Sequence, residues 1–151
     1  MKTNNSTSVS ALSHLSVFTQ YIFPFGNFVT PLLIWAFNGR KSDFVNHHSK
    51  QVINFQLSLF LYSVILVVIA VPLLFYTLFK NVNFSELVIN DDYFAEHLDI
   101  ANISGFAILG IVFVMIIAAL KIMEIFFVIY GAVKASNGEI WNYPISINFI
   151  K

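Results

Sequence analysis

The sequence predicts an all-α, polytopic helical membrane protein with about three transmembrane segments. Of its 151 residues, 58% are hydrophobic and only 11% are charged, and the mean hydropathy is +0.77. A soluble domain has about 25% charged residues, so too few polar groups remain here to cover a soluble surface. The apolar residues form long continuous runs rather than alternating ones, which favours spanning helices over a membrane barrel.

Three runs with few or no charged residues define the predicted spans, at about residues 10–37, 52–79 and 103–133. Each run is long enough for a helix to cross the roughly 30 Å hydrocarbon core. The first run contains Pro24, Gly26 and Pro31, so we expect a broken span there, with a re-entrant hairpin as the alternative. We expect residues 1–8 to form a disordered polar tail and residues 9–151 to form a single membrane domain.

Basic residues determine the predicted orientation. Loop Asn38–Lys50 carries Arg40 and Lys41 as well as Lys50, whereas the loop at 80–102 carries Lys80 among five acidic residues. The positive-inside rule therefore places loop 38–50 and the tail at 134–151 in the cytoplasm and the acidic loop outside. We expect a multi-pass protein of the bacterial cytoplasmic (inner) membrane, with its N-terminus outside for a broken first span and cytoplasmic for a hairpin.

The end of the third run carries a helix stop signal. Lys134 lies where the last turn is expected, and Asn137-Gly138 follows it, as at many helix C-termini. In the tail, Ile145, Ile147 and Phe149 alternate with other residues, which predicts a short strand or an extended segment.

Two charged residues interrupt the third run. Lys121 and Glu124 are three residues apart, so they share one face of a helix. For a span at 113–133 both lie near the bilayer midplane, where each charge costs about 2.5–3.5 kcal/mol. Three interpretations follow: an internal pair that fixes helix packing, a lysine that reaches the interface from a shorter span, or an ion- or proton-handling site.

A polar row is expected on one face of the second helix, at Gln51, Asn54, Ser58 and Tyr62. Their spacing of three and four residues points them into the bundle, where hydrogen bonds between helices are expected. Packing is the favoured role, and a substrate site is the alternative. The candidate intramembrane polar site therefore consists of Lys121, Glu124, Gln51, Asn54 and Ser58.

No residue pattern indicates catalysis, a cofactor or a metal. The chain has no cysteine and a net charge of +0, and it lacks a nucleic-acid-binding motif, so nucleic acid is not an expected partner. The four histidines, His14, His47, His48 and His97, lack metal-site spacing and are expected to be polar residues at the membrane interface. We expect a protein that is not an enzyme.

Four stretches together resemble the bacterial family called domain of unknown function 4870. They are Ala11–Ser16, Pro31–Trp35, Phe44–Gln56 and Ala132–Glu139, the last followed by Tyr143-Pro144. The resemblance runs from about Ser10 to Lys151. That family is grouped with Tic-twenty-like proteins, named for a chloroplast inner-envelope translocon component. The resemblance implies a polytopic bacterial membrane protein and supplies no activity or catalytic residues.

These observations favour a non-enzymatic scaffold or accessory subunit that acts through helix association. The expected partners are the lipid bilayer and either other membrane proteins or further copies of this chain. The alternative is a small transporter or channel component that uses the Lys121/Glu124 pair.

Overall fold

The computed structural model describes residues 4–80 and 100–151, and its regular elements in those residues are all helical. The elements are α1 (Asn4–Leu15), a 3₁₀ helix (Ser16–Tyr21), α2 (Gly26–Asn38), a short 3₁₀ helix (Gly39–Lys41), α3 (Asp43–Phe79) and α4 (Ile100–Ser136). The predicted all-helical class is confirmed. Most of the predicted acidic loop, at 81–99, lies outside the described residues.

Two helices are long and apolar enough to cross a membrane. By length and composition, the candidate spans in the described residues are Asp43–Thr77 in α3 and Ser104–Ser136 in α4. Each helix has 37 residues and is therefore about 55 Å long, well beyond the thickness of the hydrocarbon core. Helix α3 begins at Asp43 rather than near residue 52, because its polar first turns pack within the protein, with His48 and Ser49 buried.

The N-terminal segment is helical from Asn4 onward. The sequence predicts a disordered tail over residues 1–8, but α1 begins inside that stretch. Ser6 and Ser10 are buried, so these small polar side chains pack against the protein instead of remaining in solvent.

The chain turns back on itself after the first 3₁₀ helix. Phe25 adopts the left-handed φ of 61°, which is uncommon for a residue other than glycine. Gly26 lies so close to Thr19 that an added Cβ would be 2.5 Å from the Thr19 carbonyl, and the Thr19 and Thr30 hydroxyls are 2.9 Å apart. Helix α2 therefore returns along the 3₁₀ helix, and Pro31 lies inside α2 without ending it.

The end of α4 and the tail follow local backbone chemistry. Helix α4 ends at Ser136, and Gly138 has a φ of 75°, in agreement with the predicted stop signal. Residues 137–151 contain no strand, so the strand expected there is wrong and the extended alternative describes the tail. A second left-handed residue, Ile145 at φ 61°, follows Pro144 and redirects the chain.

The chain forms two compact units. The first comprises Met1–Tyr62 and Leu120–Lys151, and the second comprises Ser63–Ala119. The first unit contains a hydrophobic core of Val17, Val52, Phe55, Leu59, Val128 and Tyr143. In the second unit, large apolar side chains such as Val68, Ile111 and Met115 are exposed, as on a surface that faces lipid.

Candidate functional site

Glu124 is the buried charged residue at the centre of the candidate site. Its side chain, in the second half of α4, is only 2% exposed. Lys121 lies one turn earlier, with its Nζ 2.7 Å from Glu124 Oε2 and its side chain 53% exposed. The i,i+3 spacing thus forms the expected ion pair, and the lysine contacts the carboxylate rather than extending away from it.

Two glutamine side chains complete the surroundings of the carboxylate. Gln20, in the first 3₁₀ helix, donates from Nε2 to Glu124 Oε1 at 3.2 Å, and Gln56, in α3, donates to the same oxygen at 3.0 Å. Lys121 Nζ also donates to Gln20 Oε1 at 3.2 Å. Asn27 in α2 donates to Gln56 Oε1 at 2.8 Å. One carboxylate therefore links three helices directly and a fourth through Gln56.

This arrangement suits an ionised glutamate. A carboxylate only accepts hydrogen bonds, and here every neighbouring partner donates to it, while Lys121 balances its charge. Removing a buried charge from water is costly unless it is paired and hydrogen-bonded in this way. The carboxylate is therefore paired and hydrogen-bonded within the protein, and the pair has one open side at the partly exposed lysine.

The predicted polar row on α3 lies elsewhere in the same unit and binds the C-terminal tail. Asn54 donates to the Ile150 carbonyl at 3.0 Å and accepts from the Ile150 amide at 2.8 Å. The Ile147 amide donates to Ser58 Oγ at 2.8 Å. Asn54 therefore satisfies both backbone groups of one tail residue, as a neighbouring strand would.

Three further hydrogen bonds join side chains of α3 to the backbone of the tail. Tyr62 donates from its hydroxyl to the Ile145 carbonyl at 2.7 Å, and Gln51 Oε1 accepts from the Tyr143 amide at 3.4 Å. The Lys50 ammonium donates to the Lys151 carbonyl at 2.9 Å.

The structure divides the predicted site into two groups. Lys121 and Glu124 come together, whereas Gln51, Asn54 and Ser58 contact the tail. The hydrogen bonds expected between helices are replaced by bonds to tail backbone, because the extended tail has amide groups that no strand partner satisfies.

Two histidines are buried instead of lying at an interface. His14 and His48 are both fully buried, and His14 Nε2 is 2.9 Å from His48 Nδ1. His14 Nδ1 is 2.6 Å from the Tyr143 hydroxyl. The expectation of interfacial polar residues is wrong for these two, because α1, α3 and the tail converge on them.

Tyr143 lies at one end of this hydrogen-bonded chain. Burial, and secondarily the nearby Glu124 charge, raises the pKa of the Tyr143 phenol well above its usual range. The phenol therefore stays protonated and has a proton to donate to His14 Nδ1. His14 Nε2 then carries the proton that is donated to His48 Nδ1. The Tyr143 ring also stacks on Phe55, with centroids 4.1 Å apart.

Gln20, Gln56 and Asn27 were not predicted to surround the buried carboxylate. A signal was present, since an amide within a run that has no charged residue is expected to seek a buried polar partner. Gln20 lies in such a run at 9–37, and Gln56 lies in another at 51–79.

The part of the chain that the structure describes contains no cluster of side chains that could bind a metal ion. Across residues 4–80 and 100–151, no group of three or more histidine and acidic side chains is placed to hold an ion. The acidic residues Asp92, Glu96 and Asp99 lie outside those ranges.

Two helices that are long and apolar enough to cross a membrane, one of them carrying the pair of Lys121 with the buried Glu124, are features of a helical membrane protein. The family model for MamF/MmsF, described as a magnetosome magnetite crystal formation protein family, matches residues 5–150. The chain therefore belongs to the MamF/MmsF family. This match corrects the resemblance drawn from the motifs, since the family is not domain of unknown function 4870 or the Tic-twenty-like group. Neither the curated proteins nor the solved structures provide a match to the chain.

Proposed function

We propose that this chain is a non-enzymatic scaffold or accessory subunit of the magnetosome membrane that supports magnetite crystal formation. The family's description supplies the process. The observation that carries the proposed role is the Glu124 contact set, in which a buried charge binds Gln20, Gln56 and Lys121 of this same chain. A polar group engaged in this way stabilises helix packing and leaves the outer helix faces to contact lipid and partners.

The tail supports the same role. Polar side chains that a transporter would place along a pathway, such as Asn54 and Ser58, bind the backbone of residues 147–150. These side chains therefore hold the surface formed by the C-terminal tail in place. A scaffold needs such a fixed surface, because association costs less free energy when the binding surface is already ordered.

The scaffold role is tested in cells that form magnetite. Deletion of the gene should change crystal size or number in electron micrographs, and the intact chain should restore it. Photo-crosslinkers at exposed positions such as Ile111 and Val68 should capture membrane partners or a second copy. Normal crystals in the deletion strain, or no crosslinked product from either position, would contradict the proposal.

A second candidate is a small transporter or channel component, favoured by the 53% exposure of Lys121 beside the buried Glu124. The pair has one open side, so an ion could reach the lysine. Ion or proton flux into proteoliposomes that disappears with Glu124→Gln, while the variant stays folded, would support this function. The scaffold predicts no flux above that of empty liposomes for either protein.

We also propose a topology in which α3 and α4 cross the membrane and the segment 4–38 forms a hairpin that does not cross. The turn at Phe25 and the Thr19–Thr30 contact support the hairpin. Because His14 contacts His48 at the start of α3, both ends of the hairpin lie on the side of loop 38–50. The basic residues of that loop support a cytoplasmic position for this side.

Topology reporters test this arrangement directly. Reporters fused before Met1, at Arg40 and after Lys151 should all give the cytoplasmic signal, and one at Asp92 should give the opposite signal. An N-terminal signal opposite to that of Arg40 would support the broken span instead. A cytoplasmic signal at Asp92 would refute the orientation.

A further inference from the structure

We propose that a groove beside Trp35 binds the headgroup of an anionic phospholipid. The groove, of about 720 Å³, lies where α2 ends and α3 begins, and we call it the Trp35 groove. It is lined by Leu32, Trp35, Ala36, Gly39, Arg40, Asp43 and Asn46. Its volume falls within the 300–1,000 Å³ range of small-molecule sites.

The wall of the Trp35 groove is fixed by two contacts. Trp35 Nε1 donates to Asn46 Oδ1 at 2.7 Å, which ties the end of α2 to α3. Gly39 lies beneath the indole, since an added Cβ would be 2.6 Å from Trp35 Cδ1. The indole is therefore held in place before any ligand binds, which lowers the entropy cost of binding.

One side of the groove is apolar and continues into the exposed face of α2. Leu32 and Ala36 line the groove and are exposed, and the neighbouring Leu33 and Phe37 are also exposed. In a membrane protein these side chains contact acyl chains, and a tryptophan at the end of an apolar segment marks the headgroup level. A lipid can therefore enter the groove while its acyl chains stay in the bilayer.

The other side of the groove is polar and carries a cation. Arg40 is exposed at the groove, and its guanidinium matches the geometry of a phosphate diester. Asp43 also lines the groove, but it lies in the first turn of α3, where the helix dipole partly offsets its negative charge. An apolar wall that continues into a polar end, where Arg40 can bind a phosphate, fits a phospholipid better than it fits a soluble anion.

Lipid retention by the full-length chain tests the site. The purified protein in detergent is mixed with equal amounts of phosphatidylglycerol and phosphatidylcholine, and the lipids that stay bound are measured by native mass spectrometry. We expect phosphatidylglycerol to be preferred, and Arg40→Gln to reduce its retention about fivefold, the effect of one basic residue near a lipid surface.

Lys41→Gln is the matched control, because it removes the same charge from the adjacent residue, which does not line the groove. It should leave retention close to that of the unaltered protein. Asp43→Asn should increase the retention of phosphatidylglycerol, since it removes the negative charge of the groove. Ala36→Trp should block lipid binding while Arg40 is retained, because the indole fills the apolar side.

Two results would overturn the proposal. Equal losses for Arg40→Gln and Lys41→Gln would mean that lipids respond to overall surface charge rather than to the groove. Displacement of phosphatidylglycerol by millimolar inorganic phosphate or glycerol phosphate would mean that the site takes a soluble anion. Thermal unfolding of each variant in the same detergent confirms that the compared proteins are folded.

Discussion

The Tyr143 hydroxyl lies 2.6 Å from His14 Nδ1, although the two residues are 129 positions apart. This contact joins the first helix to the tail beside Phe55, which stacks on the tyrosine ring. Val17, Val52 and Phe55 belong to the same buried cluster as Tyr143. The tail is therefore part of the hydrophobic core of its unit rather than an appendage.

Tyr143→Phe should lower stability modestly. The substitution keeps the ring stack on Phe55 but leaves a buried imidazole nitrogen without its donor, which costs about 1–3 kcal/mol. The measurement is the midpoint of thermal unfolding in detergent. Tyr76→Phe is the control, because Tyr76 is 65% exposed. This variant should unfold at the same temperature as the unaltered chain. An unchanged midpoint for Tyr143→Phe would contradict the role assigned to this contact.

The same tyrosine predicts a response to alkaline pH. Its pKa is raised in the folded protein, so the folded state keeps a proton that the unfolded state loses above about pH 10. Stability that is fully present below pH 10 should therefore fall as the pH rises beyond it. Tyr143→Phe should remove that part of the decline, as seen by comparing unfolding midpoints at pH 8 and pH 11. An identical decline in both proteins would refute this assignment.

Gly131→Ala should destabilise the protein, although alanine normally favours a helix over glycine by about 1 kcal/mol. A Cβ at Gly131 would lie 2.8 Å from His14 Nδ1 and 3.0 Å from Trp141 Cδ1, so these rings would have to move. Overpacking of this kind costs about 1–3 kcal/mol. Gly110→Ala in the same helix meets no atom within 4 Å and should leave the unfolding midpoint unchanged or raised. A fall for Gly110→Ala equal to that for Gly131→Ala would contradict the close approach.

Asn54→Ala should loosen the tail. The variant loses both hydrogen bonds to Ile150, so the Ile150 amide should exchange with deuterium faster than in the unaltered chain. Ser58→Ala should have the same effect at Ile147, whose amide donates to Ser58 Oγ. Hydrogen exchange read by mass spectrometry provides the measurement.

Asn38→Ala is the control for these tail variants, because the Asn38 amide donates to the Ile34 carbonyl within α2. Its tail should exchange at the original rate. Unaltered exchange at Ile150 in Asn54→Ala would mean that the tail is held by its apolar contacts alone.

The sequence predicts the features that depend on neighbouring residues. Continuous apolar runs indicate α3 and α4, and the i,i+3 spacing indicates the Lys121–Glu124 contact, because both patterns are local. The positions of Gln20 and Gln56 around Glu124 depend on how distant segments pack, which no local period encodes. For the same reason the contact between His14 and Tyr143 could not be predicted.

The first segment shows where local signals fall short. Proline and glycine indicate an interruption near Pro24 and Gly26, but they do not indicate the direction in which the chain leaves it. The left-handed Phe25 and the contact between Thr19 and Thr30 fix that direction. The tail likewise has strand-like alternation, yet no strand forms there, and side chains of α3 accept from the amides of Tyr143, Ile147 and Ile150.

Unfolding of Glu124→Gln tests most directly whether this carboxylate holds the helices together. The amide places a donor against Lys121 and weakens the bonds from Gln20 and Gln56, so we expect a loss of about 1–3 kcal/mol and a clearly lower thermal midpoint in detergent. Glu139→Gln, which removes the exposed pair with Lys134, should unfold like the unaltered chain. Equal midpoints for Glu124→Gln and the unaltered protein would contradict the structural role of Glu124.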